Sequence, residues 1–316
     1  VKVRTLIDSR YLPLASAGIL VLLLPLFFPS SFYYRIGALV FIFALAVVGL
    51  NLLMGFAGQI SLGHAGFLGI GAYSVAVGPT YLGLPGWLCI VAGAGLSGAV
   101  ALVVGQPILR LKGHYLAVAT LGCGLLIAIL LNNEATWTGG PDGMSVPRLV
   151  LFGWSVHGSV VWYWVSAATL LVGIALALNL VDSPTGRALQ AIHDSEIAAS
   201  VLGVQTARKK LTVFVISAVY ASIAGSYLAL FNGHVTPDLA GFLRSIELVA
   251  MVVLGGMGSV FGSLVGAAVL VVLPQTLTGF HDYEHMALGL IVMGFMIFLR
   301  RGIVPTLAAA VTGRAT

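Results

Sequence analysis

The chain has 316 residues, of which 59% are apolar and only 8% charged, and its mean hydropathy is +1.06. Soluble domains carry roughly 25% charged residues, so this composition excludes a soluble enzyme, a nucleic-acid binder and a disordered scaffold, and makes the bilayer the solvent. Fifteen Lys and Arg against ten Asp and Glu leave a net charge of +5, which in a membrane protein reflects cationic loops facing the cytoplasm.

A hydrocarbon core about 30 Å thick takes about 20 helical residues. On that rule the sequence is predicted to be an all-α integral membrane protein, a single transmembrane domain over 1–316 with about ten helices, some short or broken. In chain order the spans are 12–30, 34–54, 62–82, 86–106, 115–132, 160–181, 211–231, 245–258, 262–279 and 285–299. The first follows Lys2, Arg4 and Arg10 like a signal peptide. It leads, however, through Pro29-Ser30-Ser31-Phe32 into another apolar span, so an uncleaved anchor is expected. A cytoplasmic N-terminus puts Lys2, Arg4, Arg10, Arg110, Lys112, Arg187, Arg208, Lys209, Lys210, Arg300, Arg301 and Arg314 inside and only Arg35, Arg148 and Arg244 outside. Fusing 245–279 into one span would move Arg300, Arg301 and Arg314 outside, so the charge asymmetry favours ten spans with both termini in the cytoplasm. Two polar loops remain, an outer one over 132–159 and an inner one over 182–210.

Two apolar stretches are interrupted by glycine: Gly55-Phe56-Ala57-Gly58-Gln59-Ile60-Ser61-Leu62-Gly63, and Gly255-Gly256-Met257-Gly258-Ser259-Val260-Phe261-Gly262. Such clusters break a helix or admit a neighbouring one. One near each end of the chain suggests an internal repeat with a translocation path between its halves. Chance pairing among 40 glycines is the plainer alternative.

No G-x-x-x-x-G-K-[ST] stretch occurs, so any ATP hydrolysis belongs to another subunit. Of the carboxylates only Glu247 lies clearly inside an apolar segment, close to its outer end. Proton-coupled carriers keep ionisable groups near the midplane, so this thin inventory argues against secondary transport. His281-Asp282-Tyr283-Glu284-His285 matches H-x-x-E-H, yet it falls in a short connector without a further ligand, and no metal site is expected. Cys89 and Cys123 sit in apolar surroundings and read as packing residues. Asn51, Gln59, Ser61 and His64 cluster around the first interruption. Their neutral donors and acceptors suit either of two tasks, satisfying a broken backbone or lining a route for a zwitterionic solute.

In the inner loop, Ser183-Pro184 signals a helix start, and a second start follows at Asp194 or Ser195. Glu196-Ile197-Ala198-Ala199-Ser200-Val201-Leu202 then runs to Gly203, which suits a helix C-terminus. Two short cytoplasmic helices result, either a solvated connector or a docking element for a motor.

The run Gly49-Leu50-Asn51-Leu52-Leu53-Met54-Gly55-Phe56-Ala57-Gly58-Gln59-Ile60-Ser61-Leu62-Gly63-His64-Ala65 resembles the signature of the LivM-type permease subunit of branched-chain amino acid ABC importers. So do Thr138-Gly139-Gly140-Pro141-Asp142-Gly143, Gly186-Arg187-Ala188-Leu189-Gln190-Ala191-Ile192, and Ser245-Ile246-Glu247 followed by Val253-Leu254-Gly255-Gly256-Met257-Gly258-Ser259, so the likeness extends from Phe41 to Pro274. The resemblance implies a subunit of the bacterial inner membrane, surrounded by lipid, that works with a second homologous permease. It further implies two cytoplasmic ABC ATPases that bind ATP and Mg, and a periplasmic solute-binding protein. ABC permeases engage the ATPase through an E-A-A-x-x-x-G segment, and Arg187, Glu196, Ala198, Ala199 and Gly203 resemble that coupling region, with Ile197 interrupting the match. The implied solute is a branched-chain or related hydrophobic amino acid, although related members are linked to urea, short amides and aromatic or dicarboxylic acids. With Asn51, Gln59, Ser61, His64 and Glu247 as pathway candidates, few fixed charges suit a compact zwitterion with an aliphatic side chain.

Overall fold

A computed structural model describes residues 18–19, 21–23, 30–111, 113–151, 154–277, 289, 293–295, 297 and 302–312. The expected spans 12–30 and 285–299 lie largely outside these residues. So do His281–His285, Lys2, Arg4, Arg10, Lys112, Arg300, Arg301 and Arg314. In chain order the main helices are α1 (Ser31–Asn51), α2 (His64–Tyr81), α3 (Gly86–Ile108), α4 (His114–Asn133), α5 (Ser159–Asp182), α6 (Pro184–Asp194), α7 (Glu196–Val201), α8 (Thr206–Asn232), α9 (Phe242–Gly255), α10 (Val260–Leu277) and α11 (Ile303–Thr312). A π-helical turn, Leu52–Phe56, extends α1. Each predicted span from 34–54 to 262–279 falls on one of these helices. Among the described residues, five runs are long and apolar enough to cross a membrane: Ser31–Phe56, α3, α4, α5 and α8.

The all-α expectation needs one correction. The outer loop carries β1 (Met144–Ser145), β2 (Leu149–Leu151) and β3 (Trp154–Val156), and β4 (His234–Val235) follows α8. β1 pairs antiparallel with β4, and β2 with β3. Gly139, Gly140 and Gly143 adopt positive φ here, and Pro141 and Pro147 remove donors. A helix cannot pass through such a stretch, and short ladders satisfy part of its backbone.

Packing follows from where the apolar and small residues stand. From Ala38 to Phe56 all but Leu39 are buried on every face, as expected of a helix without a polar side at the centre of a bundle. This axis packs against α5, α8, α9 and α10, while α8 packs in turn against α2 and α3. The outer helices face inward through small residues at four-residue spacing. α3 buries Cys89, Gly93, Ser97, Ala101 and Gly105, and α4 buries Leu116, Thr120 and Gly124. Their other faces expose Val91, Leu96 and Val103, or Tyr115, Val118 and Leu126. Close backbone approach on one side and large apolar side chains on the other is the membrane-helix pattern.

Two helices start deep inside the bundle. After the π-turn the chain runs without helix over 57–63, and α2 then begins beside Ser217, well within α8. Likewise, after α8 the chain runs in through β4 and a 3₁₀ turn, Pro237–Ala240, before α9 begins. The Ala65 N–H donates to Ser245 Oγ at 3.2 Å, so the starts of α2 and α9 lie at one level. Two cations placed in loops by the charge count are therefore relocated. Arg244 is in the first turn of α9, and Lys210 is a buried residue of α8.

Candidate functional site

The two glycine-rich breaks meet, and Asn51 is the joint. Its Nδ2 donates to the Ser259 carbonyl at 2.8 Å and to Ser263 Oγ at 2.9 Å, while its Oδ1 accepts from the Gly258 N–H at 3.0 Å. One amide thus satisfies backbone groups that the turn between α9 and α10 leaves open. Close approach makes this possible: a Cβ on Gly55 would overlap both Asn51 Oδ1 and the Gly258 nitrogen. Gly258 itself has φ +77, a conformation that only glycine adopts freely. Asn51→Leu removes all three bonds, which should cost about 3 kcal/mol at about 1 kcal/mol each. The expected result is a clearly lower thermal unfolding midpoint for the detergent-solubilised complex; an unchanged midpoint would remove Asn51 from the framework.

His64 joins the bend to α8. Ser61 Oγ stands 2.8 Å from its Nδ1 and Ser217 Oγ 2.6 Å from its Nε2, and all three residues are buried. Phe67 and Phe214 pack edge-on around the ring. Gln59 lies in the bend, half-buried, and its Nε2 donates to the Ala57 carbonyl at 2.9 Å. Asn51 thus bonds backbone groups of the second break, whereas Ser61 and His64 bond side chains, each other and Ser217.

Glu247 stands apart from this group. It is exposed on α9 and paired with Arg244, one turn earlier on the same helix. The Arg244 guanidinium lies 5.4 Å from the centre of the Phe43 ring.

The inner segment forms the two capped helices predicted. Ser183 Oγ accepts from the Thr185 and Gly186 N–H groups, with Pro184 at the first position of α6. Ser195, and not Asp194, caps α7 through the Ala198 N–H. At its end the Gly203 N–H reaches the Ser200 carbonyl and the Val204 N–H the Ala199 carbonyl, with Gly203 at φ +85. That double bond is a Schellman ending and accounts for the glycine. Arg187 is exposed, its guanidinium on the Asp182 carbonyl at 3.0 Å.

The segment is tied to the bundle at three points. Lys210 Nζ, only 1% exposed, donates to Glu196 Oε1 at 2.8 Å. Lys209 Nζ donates to Thr185 Oγ1 at 3.0 Å. Gly58 of the first break packs against His193 of α6. Ala199 is buried under α7, whereas Ala198 faces out together with Ile197, Val201 and Leu202, which are 72%, 81% and 82% exposed. Reasoning from the sequence missed these three apolar residues and Lys210. The signal for Ile197 was in view, as the large residue interrupting the two alanines.

A family described as "Branched-chain amino acid transport system / permease component" matches residues 33–300. The chain belongs to this family. LivM, the high-affinity branched-chain amino acid transport system permease protein of Salmonella typhimurium, is 36% identical over 294 residues, covering 85% of this chain and 69% of that protein. LivM of Escherichia coli K12 matches to the same extent. LivH of Escherichia coli K12, also a permease protein of such a system, is 28% identical over 254 residues, covering 72% of this chain and 79% of that one. No solved structure matches. As a member of this permease family the chain is a multi-pass membrane transport component and not itself an enzyme.

Proposed function

We propose that this permease is one of two homologous membrane subunits of an ATP-driven importer for branched-chain or related hydrophobic amino acids. Two cytoplasmic ABC ATPases bind and hydrolyse Mg-ATP, and a periplasmic binding protein delivers the solute. The chain crosses the bacterial inner membrane ten times, with both termini in the cytoplasm. The observation that carries this reading is the outward face of α7. Ile197 and Val201 on the six-residue helix and Leu202 at its C-cap expose large apolar side chains beside Arg208, Lys209 and Lys210. A contiguous exposed apolar patch marks an interaction site, and cationic residues mark the cytoplasmic side. The ATPases occupy that side.

We further infer an inverted repeat, with α1, α2 and α3 answering α8, α9 and α10. In support, α1 and α8 each lead through a non-helical stretch into a helix that starts at depth. α2 and α3 pack on α8, as α9 and α10 pack on α1. On this register 57–63 answers 233–241, and the 256–259 turn answers 82–85, which differs from pairing the two glycine clusters with each other. Asn51, Ser61 and His64 then hold the frame of the path, and Gln59 lies at its inner mouth.

The test is reconstitution. Labelled leucine should enter proteoliposomes only with both permeases, the ATPases, the binding protein and ATP, and isoleucine and valine should compete. Preferred uptake of urea or an aromatic acid would move the solute to another class. Uptake without ATPases would make the chain a secondary carrier.

A further inference from the structure

The pair Arg244–Glu247 is in an unusual place. Phe43, over which the guanidinium lies, is halfway along the 26-residue apolar run Ser31–Phe56. Ser245, between the two charges, bonds the start of α2 deep in the bundle. Both markers put the ion pair within the length of α1, while the cavity that Arg244 borders reaches Asn232 at the end of α8, and the side chains of Arg244 and Glu247 are 33% and 49% exposed. The same face of α9 exposes Phe242, Leu243 and Ile246, with Leu243 at 74%. α3 and α4, by contrast, expose only apolar side chains through their middle turns. Charges at membrane depth face protein or a water-filled cavity, since lipid cannot solvate them. The α9 face is therefore turned away from lipid.

Resting on the permease reading above, we infer that this face is a solute subsite, in which Arg244 takes the carboxylate and Glu247 the ammonium of an α-amino acid. Its aliphatic side chain lies against Leu243 and Ile246. The chemistry is one of exchange. In the free protein the two charges neutralise each other; with a zwitterion present, each trades its partner for the solute's group of the same sign, and every charge remains paired. A solute with only one of the two groups leaves either Arg244 or Glu247 uncompensated, and an uncharged solute offers nothing in return for opening the pair. Discrimination thus comes from the penalty on incomplete partners. Arg244 also borders a cavity of about 180 Å³ with Asn232, His234, Thr236 and Asp238, on the side from which the chain enters α9, so the pair is approached through polar surroundings.

Two measurements on the complete reconstituted complex test this. In a Cys89→Ser, Cys123→Ser background, Leu243→Cys and Ile246→Cys should react with a membrane-impermeant thiol reagent, and leucine with its binding protein should slow the reaction. Glu247→Gln and Arg244→Gln should each lower leucine uptake by about tenfold or more, while binding-protein-stimulated ATP hydrolysis persists. Thiols that stay unreactive in a transporting complex, or that react at a rate leucine does not change, would overturn the subsite alone. So would normal uptake by Glu247→Gln. An unmodified complex that moves no amino acid would instead overturn the permease reading, and the subsite with it.

Discussion

Val201→Asp combined with Leu202→Asp is expected to abolish ATP-driven leucine uptake while leaving the chain folded and inserted. Both side chains are more than four-fifths exposed, so the carboxylates meet water in the isolated subunit and destabilise little. In the complex they would be pressed into an apolar contact without partners, at a penalty of about 3 kcal/mol or more, which weakens docking by over about a hundredfold. Ala199→Trp acts by a different route. Ala199 is 2% exposed, so the indole would pry α7 from the bundle and lower stability before any partner arrives. Comparing the two variants by uptake and by the unfolding midpoint separates docking from folding. Uptake by the double aspartate variant at the unmodified rate would return α7 to the status of a connector.

Glu196→Gln is expected to give the second large effect. The Lys210 ammonium is buried with Glu196 Oε1 as its ion-pair partner, and removing one member of such a pair costs about 2–3 kcal/mol, the lower part of the usual range because Glu196 remains 30% exposed. Glu196→Gln combined with Lys210→Met takes away the stranded charge and should recover most of the lost stability. It should not recover coupling, because α7 would no longer be tied to α8, the helix that packs on α1, α2 and α3. The reading is the amount of leucine moved per ATP hydrolysed, low in both variants, beside an unfolding midpoint low only in the single one. Normal coupling in the double variant would reduce the ion pair to a structural tie.

The helices over 34–54 to 262–279 were legible because a bilayer leaves one local solution, a long apolar helix, and hydropathy reports it directly. Gly203 and a helix start at Asp194 or Ser195 were legible for a related reason, since caps act over a few residues. What the sequence hid was longer in range or finer in scale. Asn51 meets Ser259 across 208 residues, and nothing near Asn51 names that partner. Hydropathy counting assigns every cation to a loop, which misplaced Arg244, whose charge is held by Glu247 and by an aromatic face, and Lys210, whose charge is held by Glu196. Strands of two or three residues are too short for an alternating pattern to register. A helix of six residues has no periodicity from which to read that Ala199 turns inward while Ile197, Val201 and Leu202 turn out.

The central claim, that ATPases drive this permease through α7, is tested most directly by a thiol at its tip. Leu202→Cys in the Cys89→Ser, Cys123→Ser background should label readily with a soluble maleimide when the chain is purified alone. In the assembled complex the thiol should be protected, and it should cross-link to an ATPase subunit. Equal labelling with and without the ATPases, and no cross-link to them, would contradict docking at α7.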